Sequence, residues 1–156
     1  MLNEEHLNQL MQELGPIADL LAIDAYPDKG LWHIAVAEDL HLFAELAAAR
    51  RLVVLSAELG KPAPGNQAFL YELFLRYAHV WDASGGLRMS VDDEAGAVWL
   101  LLDVSPNGMS AGDLAAQIGA FAAKVRGWRE VVGGQRINVD DPDQVRALLH
   151  SPELRA

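Results

Sequence analysis

Apolar and polar positions recur along this chain with two periods, and each change of period marks an element. Leu7, Leu10, Met11 and Leu14 fall at helical spacing. Asn3 stands where a helix cap belongs, and Glu4 and Glu5 suit the positive end of the helix dipole. Gly15-Pro16 then predicts the stop. A short apolar stretch with turn chemistry, 17–30, ends in Pro27-Asp28-Lys29-Gly30. From there the period falls to two. "LWHIAV" puts Trp32, Ile34 and Val36 on one face of a strand, and "RLVVLSAEL" reads as another. Between them "LHLFAELAAARR" is rich in helix formers, yet Leu42, Ala44 and Leu46 alternate with His41, Phe43 and Glu45. Tertiary pairing overrides propensity, so residues 41–47 are expected as the middle strand of a meander.

The break at Lys61-Pro62-Ala63-Pro64-Gly65 leads, with Asn66 as cap, into "FLYELFLRYAHVW", residues 69–81, and Ser84-Gly85-Gly86 ends that helix. A hairpin follows. Leu87, Met89 and Val91 alternate with Arg88, Ser90 and Asp92, residues 93–96 turn, and residues 98–104 return. Ser110 and Asp113 have capping-box spacing at the start of a third helix, with Met109 and Leu114 as a hydrophobic staple. Leu114, Ile118, Phe121, Ala122, Val125, Trp128 and Val132 share its inner face, and Gly133-Gly134 closes it. A minor helix with Asp141 as cap and Pro142 at its first position occupies the tail. The order α-β-β-β-α-β-β-α predicts an α+β fold, a twisted antiparallel sheet flanked by helices. Residues 1–134 are read as one domain and 135–156 as a C-terminal tail with a short helix.

The second helix is apolar nearly all round; across 69–81 only Glu72, Arg76 and His79 are polar. Either its own domain wraps it completely, or one face packs at home and the other against a second copy. A sheet covers only one side of a helix, so the second arrangement is expected, a two-fold homodimer. Its candidate interface residues are Phe69, Leu70, Leu73, Phe74, Tyr77 and Trp81. Glu72 and Arg76 form an i,i+4 pair on the wet edge.

Composition narrows the chemistry. At 156 residues and 51% hydrophobic, the chain fits one domain and is not of disordered type. It has no cysteine, hence neither disulfides nor thiolate metal sites. A net charge of −10 with three lysines argues against nucleic acid or an anionic membrane as partner. No apolar run is long enough to span a bilayer and the start has no secretory pattern, so a cytoplasmic location is expected. The five histidines are scattered without metal-ligand spacing, and Asp92-Asp93-Glu94 is read as solvated turn acid. No Walker sequence, dinucleotide fingerprint or nucleophile elbow occurs. The chain is therefore read as a non-enzyme without cofactor or metal.

"LVVLSAELGKP", "YELFLRYAHVWDASGGLRMSVDDEAGAVWLLLDV" and "FAAKVRGWREVV", in this order of elements, resemble the effector chaperones of bacterial type III secretion, the Tir-chaperone-like class I family. The resemblance covers roughly residues 3–132. It implies a cytoplasmic homodimer that uses no nucleotide and serves virulence. Such a chaperone holds the N-terminal segment of a secreted effector extended and secretion-competent, with the secretion ATPase as a further candidate partner. The candidate effector contacts are Leu7, Leu10, Met11 and Leu14 on the first helix with Trp32, Ile34 and Val36 on the first strand. Only a subset can be exposed, with Leu10, Trp32 and Ile34 preferred. The competing expectation is an adaptor or regulator of the same fold that binds a non-secretion protein.

Overall fold

The computed structural model describes residues 4–80, 82, 84–134 and 142–149. Helix α1 (Glu4–Ile17) leads into strands β1 (Ala22–Tyr26), β2 (Leu31–Ala37), β3 (Leu40–Ala47) and β4 (Leu52–Gly60). Helix α2 (Gln67–His79), strands β5 (Arg88–Val91) and β6 (Val98–Val104), and helices α3 (Ala111–Val132) and α4 (Pro142–Leu149) follow. The strands lie in one sheet in the order β1-β2-β3-β4-β6-β5. This is the expected α+β architecture, with one strand more than the hydrophobic pattern marks. β1 lies in the stretch 17–30, and its residues are exposed except for half-buried Ile23. With little to bury, it shows no alternation. Its antiparallel pairing with β2, from Ala22 opposite Ala35 to Tyr26 opposite Leu31, defines it instead.

By contacts the chain forms two compact units, Met1–Ala57 with Leu102–Ala122, and Glu58–Leu101 with Ala123–Ala156. In the first, the meander is as expected. Phe43 of β3 pairs with His33 of β2 on one side and Ser56 of β4 on the other. Leu42 and Ala44 are fully buried, so alternation prevails over helix propensity because both flanks of β3 are hydrogen-bonded. The α1 stripe Leu7, Leu10, Met11 and Leu14 is buried, as are Leu114, Ile118, Phe121 and Ala122 of α3. Trp32 and Ile34 are buried too, but Val36 is only half-buried. The β2–β3 register shifts between Ala35 and Ala37, and this bulge takes Val36 out of the period-two series.

In the second unit, Leu70, Leu73, Phe74 and Tyr77 of α2 and Val125, Trp128, Val131 and Val132 of α3 are buried. Trp128 takes ring-edge contacts from Phe74 (centroids 5.9 Å apart) and Tyr77 (4.8 Å). The end of α3 is tied to the end of β4: Arg129 Nε donates to the Glu58 carbonyl at 3.0 Å. The Asp92 carboxylate accepts from the Glu94 N–H at 2.8 Å, which shapes the β5–β6 turn as an Asx turn.

Several helix ends differ from expectation. α1 runs through Gly15-Pro16 to Ile17, because a proline in the last turn forfeits only its own N–H bond, and the Ala18 N–H still reaches Leu14. Asn66 does not cap α2 with its side chain; its own backbone is already helical. α2 stops at His79, before the glycines, and the Val80 N–H closes back on Tyr77. Gly85 and Gly86, both at positive φ, serve the turn into β5 instead. At α3 the expected box forms: the Ser110 N–H donates to Asp113 Oδ2 at 2.9 Å and the Asp113 N–H to Ser110 Oγ at 3.2 Å. Asp141 and Trp81 lie outside the described residues.

Candidate partner-binding groove

α1 turns its apolar stripe inward and leaves Asn8, Gln12 and Gly15 on the flank that faces β1. Together with Leu20, Leu21, Ala22, Ile23 and Ala25 they wall a groove of about 410 Å³, with Met11 and Trp32 contributing to its lining. Leu21 is 63% exposed on its rim, and Ile17 nearby is 57% exposed. β1 is the first strand of the sheet, so among the described residues alternate main-chain groups on its outer side have no strand partner. A trough with both apolar and polar lining beside an open strand edge suits the uptake of an extended peptide. Main-chain pairing supplies affinity, and pockets for alternate side chains supply selection.

Of the seven residues named from the sequence as effector contacts, only Met11 and Trp32 line this groove. Leu7, Leu10, Leu14 and Ile34 are buried beneath the surface, each 4% exposed or less, and Val36 sits at the bulge. The groove residues absent from that set, Leu20 to Ile23, come from the run "LLAI". Four consecutive apolar residues bounded by aspartates are a strand signal, hidden here by the turn residues that follow.

On α2 the outward side differs from the residues named for an interface. Leu70, Leu73, Phe74 and Tyr77 point into their own unit, and Phe69 is half-buried. The exposed face carries Ala68, Glu72, Leu75, Arg76, Ala78 and His79, with Leu75 at 75% exposure. Arg76 Nε donates to Glu72 Oε1 at 3.0 Å, the expected i,i+4 pair. Two of the histidines, by contrast, are not scattered: His33 Nε2 and His41 Nδ1 are 3.0 Å apart. Among the described residues no group of three or more histidines and carboxylates could hold a metal ion, and no helix is long and apolar enough to cross a membrane.

Residues 6–129 match the model of the Tir chaperone protein (CesT) family. No curated protein sequence matches the chain. Among solved structures, a chain of the ExsC–ExsE complex is similar with a TM-score of 0.71 at 15% identity, over 85% of this chain and 98% of that one. A chain of the HopA1–SchA chaperone–effector complex gives 0.65 at 16% identity, over 81% and 95%. A chain from the Yersinia pestis type III secretion chaperone SycH with a stable fragment of YscM2 gives 0.58 at 19%, over 80% and 98%. At these identities the likeness is one of fold.

Proposed function

From the premise that the chain belongs to the Tir chaperone protein (CesT) family, we propose that it is a type III secretion chaperone. It binds an N-terminal segment of an effector in the bacterial cytoplasm and keeps that segment extended. The observation that carries this reading is the groove between α1 and β1, of mixed polar and apolar lining, beside an open strand edge. The bound segment is on the order of 50–100 residues, the length needed for a wrapping chain to bury enough surface to offset its own ordering. Self-association into a two-fold dimer through the outward face of α2 belongs to the same reading.

The test is truncation of the effector. Full-length effector and a variant without its first hundred or so residues are compared for binding by calorimetry. The reading expects binding to be lost with the N-terminal segment and retained by that segment alone. Binding that survives the deletion identifies the chain instead as an adaptor for folded domains.

A further inference from the structure

Strand register sorts the outward side of the first unit's strands into two rows. Asp24 of β1 stands opposite His33 of β2, His33 opposite Phe43 of β3, and Phe43 opposite Ser56 of β4. The neighbouring row, two residues along, runs from Tyr26 through Leu31 and Glu45 to Val54. These positions alternate with Trp32, Ile34, Leu42, Ala44, Val53 and Leu55, which are buried in the core. None of the residues in the two rows is buried, so no layer of the described chain covers this side.

The rows combine ring surface with carboxylates. The His33 ring lies 5.0 Å from that of His41 and 5.3 Å from that of Phe43, and Tyr26 is 47% exposed. Asp24 lies at one end of its row, 3.3 Å from His33, with its side chain well exposed. Glu45 is exposed and has no ion pair among the described residues. Residues 4–57 carry only three lysine or arginine side chains, Lys29, Arg50 and Arg51, all in the turns at one end of these strands. Arg50 is already held by Asp103 at 2.9 Å. Glu38 and Asp39, in the β2–β3 turn at the other end, add negative charge.

This chemistry selects a cation. The aliphatic stem of a lysine or arginine packs on rings while its head meets a carboxylate, and a cation over a ring face is attracted in its own right. The acidity of the chain favours the approach of such a partner and opposes nucleic acid or anionic lipid. Asp24 and Glu45 stand two strands and two residues apart, about 12 Å. An extended segment shows every second side chain on one face, so cations four positions apart span about 13 Å. The residue midway between them then falls over Leu31 and His33, where an apolar side chain fits.

We propose that this outward side of β1–β4 is a docking surface for a basic, extended segment of a partner protein. That segment carries lysine or arginine at positions four apart, with an apolar residue midway. Trp32, which contributes to the groove, is on the opposite side of β2, so the docking surface and the groove are separate sites.

The test uses the full chain and synthetic probes, so its outcome is independent of the chaperone reading. Two short fluorescent peptides share one composition. One has two arginines four apart with a leucine midway and serines between; the other has the arginines adjacent. Fluorescence anisotropy at physiological salt should show the first bound at least about tenfold more tightly. Its binding should move the amide NMR signals of β2 and β3. Glu45→Gln should weaken it at least about fivefold, whereas Glu13→Gln on α1, the same charge change on another exposed side chain, should weaken it less than about twofold. Phe43→Leu, which keeps apolar bulk but removes the ring, should cost about fivefold as well. Far-UV circular dichroism should be unaltered in all three variants. Equal affinity for the two peptides, equal losses in the two glutamate variants, or shifts confined to the groove would overturn the proposal. So would absence of binding at about 1 mM peptide. Concentration-dependent shifts of the same amides without peptide would assign the surface to a second copy of the chain and overturn it too.

Discussion

Trp128 concentrates much of what holds the second unit together. Its ring is buried between the edges of Phe74 and Tyr77, while its indole N–H has no hydrogen-bond partner among the described residues. Burying an unpaired N–H costs on the order of 1–3 kcal/mol, which the apolar area of so large a side chain offsets. Trp128→Ala should therefore lose about 3–5 kcal/mol in urea unfolding. Trp128→Phe, which retains much of the ring and removes the orphan donor, should lose clearly less. Asp113 gives a pH-dependent prediction. The Ser110 main-chain N–H, then its hydroxyl, hold the Asp113 carboxyl below its ordinary value of 3.8. A carboxylate with a lowered value contributes stability that is complete above 3.8 and is lost as pH falls through the lowered value. Asp113→Asn should accordingly be less stable than the parent at neutral pH, with the difference closing in strong acid, as thermal unfolding at several pH values will show. Ser110 and Asp113 were legible in the sequence because a capping box is local. Asn66 carried the same cap signal and makes no such bond, because its backbone is already helical.

At the scale of elements, legibility followed burial. The inner face of α3 and the strands β2, β3 and β4 bury one side each, and that one-sidedness writes a period into the sequence. β1 buries almost nothing, so it wrote none, and the groove it walls was hidden with it. Leu10, Leu14 and Ile34 share the apolar face of their elements but lie beneath another layer. Periodicity reveals which residues share a face and not whether another layer covers it. Leu21, on the groove rim and well exposed, is the informative position. Leu21→Glu places a charge where an apolar partner segment would dock and leaves the core untouched. It should weaken binding of the effector segment at least tenfold by calorimetry, with a melting temperature within about 2 °C of the parent, as surface substitutions usually allow. A large drop in melting temperature would show Leu21 to be structural instead.

For the whole molecule, the net charge of −10 and the apolar patches make different demands. Charge steering fades as salt rises, whereas apolar burial does not. The proposed association through α2 tests which of these governs assembly. Each copy presents Leu75 beside small Ala78, with the Glu72–Arg76 pair already closed within its own helix. A two-fold contact brings the same patch from both chains together, so one residue counts twice. Burying a leucine contributes about 1.5–3 kcal/mol, hence roughly 3–6 kcal/mol for the pair. That corresponds to about 10²–10⁴ in dissociation constant. A micromolar dimer needs about 8 kcal/mol, so the leucine pair supplies only part and the rest of the outward face of α2 must supply the remainder. On this reading light scattering should find a dimer at micromolar concentration, little changed by salt, and Leu75→Asp should yield a folded monomer with unaltered circular dichroism. Phe74→Ala makes the contrast, since Phe74 packs on Trp128 within its own unit. It should lower stability in the range of other buried aromatic truncations, about 3–5 kcal/mol, through the loss of packing inside each chain. A parent protein that remains monomeric at micromolar concentration would dismiss the dimer, and Leu75 would then be one of the isolated exposed leucines that ordinary surfaces carry.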